Sequence, residues 1–183
     1  NLVNLDQDQI KRLVGKLTDL EELADIIIID TGAGISPSVM EFLLASPETI
    51  VVTTPEPTSV TDSYALLKAL SMNEGYNKDE CTIKIVANRV ESENEGRNLY
   101  EKLNAVVSKF LGIKLEYLGS VPQDSSVRKA VMKQKPVTIV YPASSAARHF
   151  KRIAADLLGN ENDVPENKKG IRSYFKNVFA RKM

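Results

Sequence analysis

Cysteine and histidine are almost missing from this chain: Cys81 and His149 stand alone among 183 residues. One cysteine excludes a disulfide framework within the chain, and one of each argues against a Cys/His zinc site or a cysteine–histidine catalytic pair. A reducing, cytosolic setting fits. Net charge is missing too, with 24 basic against 24 acidic residues, so no global field draws the chain to nucleic acid. No apolar run approaches the roughly 18 to 20 residues needed to span a bilayer, and no charged-then-apolar signal sequence opens the chain. What is present is enough apolar residue, 43%, to bury one substantial core. One globular domain plus a tail is expected. The chain opens at Asn1 inside a helix lead-in, without an initiator Met, so a piece of a longer protein is expected as well.

Two periods organise the apolar residues. Asp6 can cap a helix with Ile10, Leu13, Val14, Leu17 and Leu20 on one face, and Ser36-Pro37 opens a short helix through Val39, Phe42 and Leu43. Further helices are expected after the Pro55-Glu56-Pro57 break, through Ala65, Leu66, Ala69 and Leu70, then from about 94 to 111. Two more run through Val127, Ala130 and Val131, and from Ala143 to Leu158 with Ile153, Leu157 and Leu158 inward. Between them Ile26–Ile29, Thr49–Thr54, Thr82–Asn88 and Leu115–Val121 read as buried strands. Strands alternating with helices imply βαβ crossovers: an α/β fold with a mostly parallel sheet flanked by helices.

The most informative run is Ile26-Ile-Ile-Ile-Asp30-Thr-Gly-Ala-Gly34-Ile-Ser36. Without polar alternation it predicts a strand covered on both faces, and it stops at a carboxylate and two glycines. Ligands of such sheets sit beyond the carboxyl ends of strands. Asp30 is therefore a candidate magnesium-sensing aspartate, with Gly32 and Gly34 letting backbone N–H groups approach a phosphate. An ordinary Asp/Gly turn is the alternative. Three more loops leave strands in the same way: Thr53-Thr-Pro-Glu56-Pro-Thr58, Ala87-Asn88-Arg89-Val90 and Gly119-Ser-Val-Pro122-Gln123-Asp124. Asn88 carries the donor and acceptor that read an adenine edge, and Pro122 offers a base an apolar face. Each loop could also merely turn the chain.

Taken in order, Ile-Ile-Ile-Asp30-Thr-Gly-Ala-Gly-Ile, Val-Val-Thr-Thr-Pro-Glu-Pro-Thr-Ser-Val-Thr-Asp-Ser-Tyr64, Ala-Asn88-Arg-Val and Val-Pro-Gln-Asp124 closely resemble the MinD/ParA-type deviant Walker ATPases. The Asp-Thr-Gly-Ala-Gly and Thr-Pro-Glu-Pro-Thr pair is most similar to the flagellar number regulators of that family. The resemblance implies ATP/ADP and Mg2+ as cofactors. It makes Asp30 the acid that holds magnesium through water and helps position the attacking water. Gly34 then senses the γ-phosphate, Asn88 and Arg89 face adenine, and Pro122, Gln123 and Asp124 line the base pocket. It further implies an ATP-dependent homodimer, a FlhF-type GTPase and flagellar basal-body proteins as partners, and a place on the cytoplasmic face of the membrane. One departure bears on activity: no Gly-x-x-x-x-Gly-Lys-Ser/Thr occurs in the chain, and the family's phosphate loop lies upstream of Asn1. Positioning and electrostatics are nearly all of phosphoryl-transfer catalysis. ATP hydrolysis is accordingly expected of the intact protein and little or none of this piece, which is also expected to show a raw sheet edge.

Residues 1–158 are thus expected to form the C-terminal part of such a domain, 159–167 a polar linker, and 168–183 an amphipathic helix. Ile171, Tyr174, Phe175, Val178 and Phe179 fall on one stripe, with Lys168, Lys169, Arg172, Lys176, Arg181 and Lys182 on the remainder. An aromatic stripe bordered only by basic residues reads as an interfacial anchor for an anionic membrane; the alternative is a last core helix packed on the domain. Two anchors on a dimer gain from effective concentration. A membrane-anchored adaptor without catalysis is the second functional reading. Iron–sulfur carriers of related fold lack support without a Cys-x-x-Cys pair, and DNA-partitioning relatives lack it without a broad basic patch. Glu56 and His149 are expected to face solvent, Cys81 to pack at a strand edge, and Tyr64 to lie on a helix surface.

Overall fold

The computed structural model describes residues 23–158. The helix expected around Ile10 to Leu20, the linker and the basic, aromatic tail lie outside the described residues. Three parallel strands, β1 (Glu48–Thr53), β2 (Thr82–Val90) and β3 (Leu115–Pro122), form a sheet in that order. Helices α1 (Pro37–Ala45), α2 (Pro57–Ser71), α3 (Glu93–Leu111), α4 (Ser125–Met132), α5 (Val137–Val140) and α6 (Ser145–Leu158) connect and cover it.

Alternate residues of β2 serve two cores. Ile83 and Ile85 join Val51, Leu67, Leu70, Leu103, Val107 and Leu115 on one face. Val86 joins Val121 and Ala146 on the other, with Leu118, Val127 and Ile153 packed alongside. Burial on both sides explains the unbroken apolar stretch Ile85-Val86-Ala87 within this strand. The α3 helix closes on the sheet through Gly96, where a β-carbon would stand 2.8 Å from Ser120 Cβ and 3.0 Å from the Tyr117 hydroxyl. Ser36 caps α1 by accepting from Val39 N–H at 3.4 Å, with Pro37 in the first turn. Among the described residues no helix is long and apolar enough to cross a membrane.

Several expectations need correction. Residues 26–30 are not a strand, and Ile26 and Ile28 are 56% and 87% exposed. Propensity alone does not hold a strand: the ladder supplies its hydrogen bonds, and among the described residues none pairs with this segment. The β1 strand is covered on one face only, burying Thr49, Val51 and Thr53 while Ile50 and Val52 are exposed. Val131 faces solvent instead of the core, and Leu158 is exposed. Tyr64 packs partly buried against the main core, and Cys81 packs beside it as expected, 4.0 Å from the Thr49 hydroxyl.

Candidate functional site

The carboxyl ends of the three parallel strands bring three of the four expected loops together. Thr53 pairs with Ala87 and Asn88 with Val121, so the chain leaves each strand at nearly the same height. After β1, the Ser59 hydroxyl lies 3.2 Å from that of buried Thr53 and accepts from the Thr54 N–H at 3.0 Å. This pins the Thr-Pro-Glu-Pro turn. At the carboxyl end of β2, Asn88 Oδ1 accepts from the Arg89 N–H at 3.0 Å, and Arg89 takes a left-handed conformation at φ 57° where the pairing with β3 shifts register. Its Nε donates to Gln123 Oε1 at 3.2 Å, and its Nη1 stands 3.4 Å from Glu56 Oε1. One guanidinium therefore ties together the loops that follow β1, β2 and β3. Hydrogen bonding from Thr54 and from its own backbone, with Arg89 nearby, holds the Glu56 carboxyl below its ordinary range.

The Gln123 N–H donates to the Val90 carbonyl at 2.9 Å, and Pro122 pairs with Val90. Asp124 is committed on both oxygens: Oδ1 accepts from the Ser126 N–H at 2.7 Å and Oδ2 from the Ala146 N–H at 3.0 Å. These donors, with the Ala146 N–H first, hold its carboxyl below the usual value. Asp124 thus fastens the start of α4 to the start of α6. Among the described residues no hydrogen bond or ion pair joins Asp30 or Gly34 to these three loops. Asp30 lies exposed on the irregular segment, and Gly34 sits at φ 104° with open space where a side chain would project. The stripe from Lys168 to Phe179 lies outside the described residues.

Glu56 is exposed as expected, but sequence reasoning missed its pairing with Arg89 and the bond from Arg89 to Gln123. The available signal was a pair of opposite charges, Glu56 three and Arg89 two residues past the paired Thr53 and Ala87. His149 is also not freely exposed: Nδ1 lies 2.9 Å from the Ser145 carbonyl and Nε2 3.4 Å from Glu93, which Arg152 also engages. The Arg152 guanidinium, with His149 beside it, keeps the Glu93 carboxyl below its ordinary range.

A non-glycine residue held at positive φ costs ~1–2 kcal/mol, and such strain clusters at functional sites. Arg89→Gly is therefore expected to unfold in urea at or slightly above the wild-type midpoint. Arg89→Val, β-branched at the same φ, is expected to lose ~1–2 kcal/mol.

No protein-family model matches the chain. It is 38% identical to antiactivator FleN of Pseudomonas aeruginosa over 175 residues, covering 96% of this chain and 60% of FleN. It is 34% identical to the flagellum site-determining protein YlxH of Helicobacter pylori, covering 85% of this chain and 52% of YlxH. Among solved structures, Pyrococcus horikoshii MinD complexed with Mg-ADP superposes with a TM-score of 0.61 at 21% identity, covering 84% of this chain and 60% of that one. With the parallel sheet and the converging strand-end loops, these likenesses define the class: the chain has the fold of the MinD/ParA-type ATPases. Within it the likeness is to the flagellar regulators FleN and YlxH. The chain spans only about 60% of FleN and about half of YlxH.

Proposed function

We propose that this chain is the base-binding and anchoring portion of an ATP-dependent, membrane-associating switch that regulates flagellar number and placement. The observation that carries the reading is the strand-end rim, where Arg89 links Asn88, Gln123 and Glu56 in a chain similar to FleN over nearly its whole length. The residues fit a nucleotide. The Asn88 amide nitrogen has no hydrogen-bond partner among the described residues, so it can meet a base edge, while half-buried Pro122 supplies an apolar wall. Gly32 and Gly34 carry no neighbours within 4 Å of a would-be β-carbon, which leaves their backbone open to phosphate oxygens.

Magnesium fits the same arrangement. No cluster of three or more metal-ligating side chains occurs among the described residues, and magnesium is ordinarily held by one or two carboxylates with phosphates and water. Asp30 is the carboxylate this reading assigns to it. Bound Mg2+ would neutralise the charge that develops on the phosphates. Asn88, Arg89 and Gln123 would orient the base. In the reading, ATP held between two subunits forms a dimer, two tails hold an anionic inner membrane face, and hydrolysis releases it. FlhF-type GTPases and basal-body proteins are the proposed partners.

The test is liposome co-sedimentation of the family-length protein with ATP and with ADP, beside Phe175→Glu, Phe179→Glu. ATP-dependent sedimentation that the variant loses is the expected result. Binding indifferent to nucleotide would leave an anchored adaptor, and no binding in either state would make the tail a core or partner helix.

A further inference from the structure

From Ser125 to Ala155 the chain has no acidic residue and seven Lys or Arg, an asymmetry hidden by the overall neutrality. Part of this stretch is compensated in the fold, since Arg152 and His149 meet Glu93. The part formed by α4, α5 and the turn between them is not. Arg128, Lys129, Lys133 and Lys135 are exposed there, and none makes an ion pair with a carboxylate among the described residues.

The same elbow pushes its large apolar side chains outward. Val131, Met132 and Ile139 are 66%, 80% and 71% exposed, and they interleave with the basic residues. This is not a loosely held loop. Ala130 and Val137 are buried and anchor the two helices. The Lys133, Gln134 and Lys135 N–H groups return to the Ala130 and Val131 carbonyls at 2.9–3.2 Å, with Gln134 at φ 52°. Lys133 Nζ also sits 5.1 Å from the centre of the Tyr141 ring. The turn thus holds a small apolar tip within a basic collar.

We propose that the α4–α5 elbow is a second membrane-contact surface, seating Val131, Met132 and Ile139 at the acyl boundary of an anionic bilayer while its basic collar meets the headgroups. The inference rests on the membrane reading above for the surface it meets, but not on the tail or on nucleotide. Charge complementarity selects the partner. A basic collar alone would suit any polyanion, but exposed Met and Ile at its centre lose solvation against a phosphodiester backbone and gain it in lipid.

The experiment uses the full chain carrying Phe175→Glu, Phe179→Glu, so that the tail is silenced, without nucleotide. Sedimentation is measured with phosphatidylglycerol-containing vesicles and with pure phosphatidylcholine vesicles. Residual binding to the anionic vesicles only is expected. Met132→Glu, Ile139→Glu should abolish it, and Lys133→Gln, Lys135→Gln should weaken it about 30-fold, from ~1 kcal/mol per basic residue near an anionic surface at ~1.4 kcal/mol per tenfold. Because the chain lacks tryptophan, Met132→Trp adds a clean reporter whose emission should shift to the blue on anionic vesicles. Failure of the tail-silenced chain to bind, or binding that ignores Met132→Glu, Ile139→Glu, overturns the proposal. So does equally tight binding to duplex DNA that only the lysine variant weakens. Since Met132, Lys133, Lys135 and Ile139 are exposed, replacing them should leave the urea midpoint of the tail-silenced chain unchanged.

Discussion

Asp124→Ala is expected to lower the unfolding free energy by ~2–3 kcal/mol, or the melting temperature by roughly 8 °C for a chain of this size. One carboxylate caps two helices, through the Ser126 N–H at 2.7 Å and the Ala146 N–H at 3.0 Å. A single cap is typically worth about 1 kcal/mol, and charge-assisted bonds somewhat more. The loss should therefore exceed that of an ordinary cap. Asp124→Asn separates the two bonds: its carbonyl can keep one N–H while its NH2 faces the other, so an intermediate loss is expected. The pH dependence follows from the lowered Asp124 pKa. A carboxyl with a depressed folded pKa contributes stability above its unfolded value, near 3.9, and loses it as pH falls through the folded value. The gap between wild type and Asp124→Ala should hold from neutrality to about pH 4 and close below it. Urea unfolding of both proteins across that range is the measurement. A gap that persists in strong acid would mean that packing, not the charged cap, is lost.

The same residue shows where sequence reading ends. Val-Pro-Gln-Asp124 before an apolar-periodic segment is legible as a strand end followed by a capped helix. The second cap is not, because Ala146 lies 22 positions away and nothing local encodes the meeting. The strands themselves were legible where both faces are covered, as at Ile85-Val86-Ala87 of β2, because burial then writes itself as adjacent apolar residues. That signal misleads at Ile26–Ile29, where the composition of a buried strand is present but the described residues supply no ladder partner. It misleads more mildly at β1, where Ile50 and Val52 carry strand propensity onto an uncovered face. The rim was readable as a set of loops because parallel strands end together. Its wiring was not, since the Arg89 bonds to Gln123 and Glu56 depend on a backbone conformation that arginine rarely adopts. The basic collar around Val131 escaped for another reason: helical spacing cannot tell a core stripe from one turned to solvent when the helix is only eight residues long.

Gly96→Val is expected to cost ~3 kcal/mol, a large share of the ~5–15 kcal/mol that keeps a domain of this kind folded. In α3 this glycine lies where the helix comes closest to the sheet. A β-carbon there would meet Ser120 Cβ at 2.8 Å, the Tyr117 hydroxyl at 3.0 Å and Ala87 Cβ at 3.3 Å. Neither Ser120 nor Ala87 can yield, because both contacts are made by atoms attached directly to the backbone of buried strands. The helix must move instead, taking Leu103 and Val107 out of the main core and Leu99 away from Ala87 and Val90. Alanine provides the control on sign. It adds the same clashing β-carbon, offset in part by the ~1 kcal/mol penalty that glycine carries in a helix interior, so Gly96→Ala should lose ~1–2 kcal/mol. Valine has no such offset: it adds two further carbons and is itself a poor helix former. Urea denaturation should therefore show both midpoints below that of wild type, with valine the lower. Midpoints equal to that of wild type would mean that α3 can lift off the sheet freely, in which case the helix–sheet contact at Gly96 sets neither the register of α3 nor the height at which β2 and β3 deliver Asn88 and Gln123 to the rim.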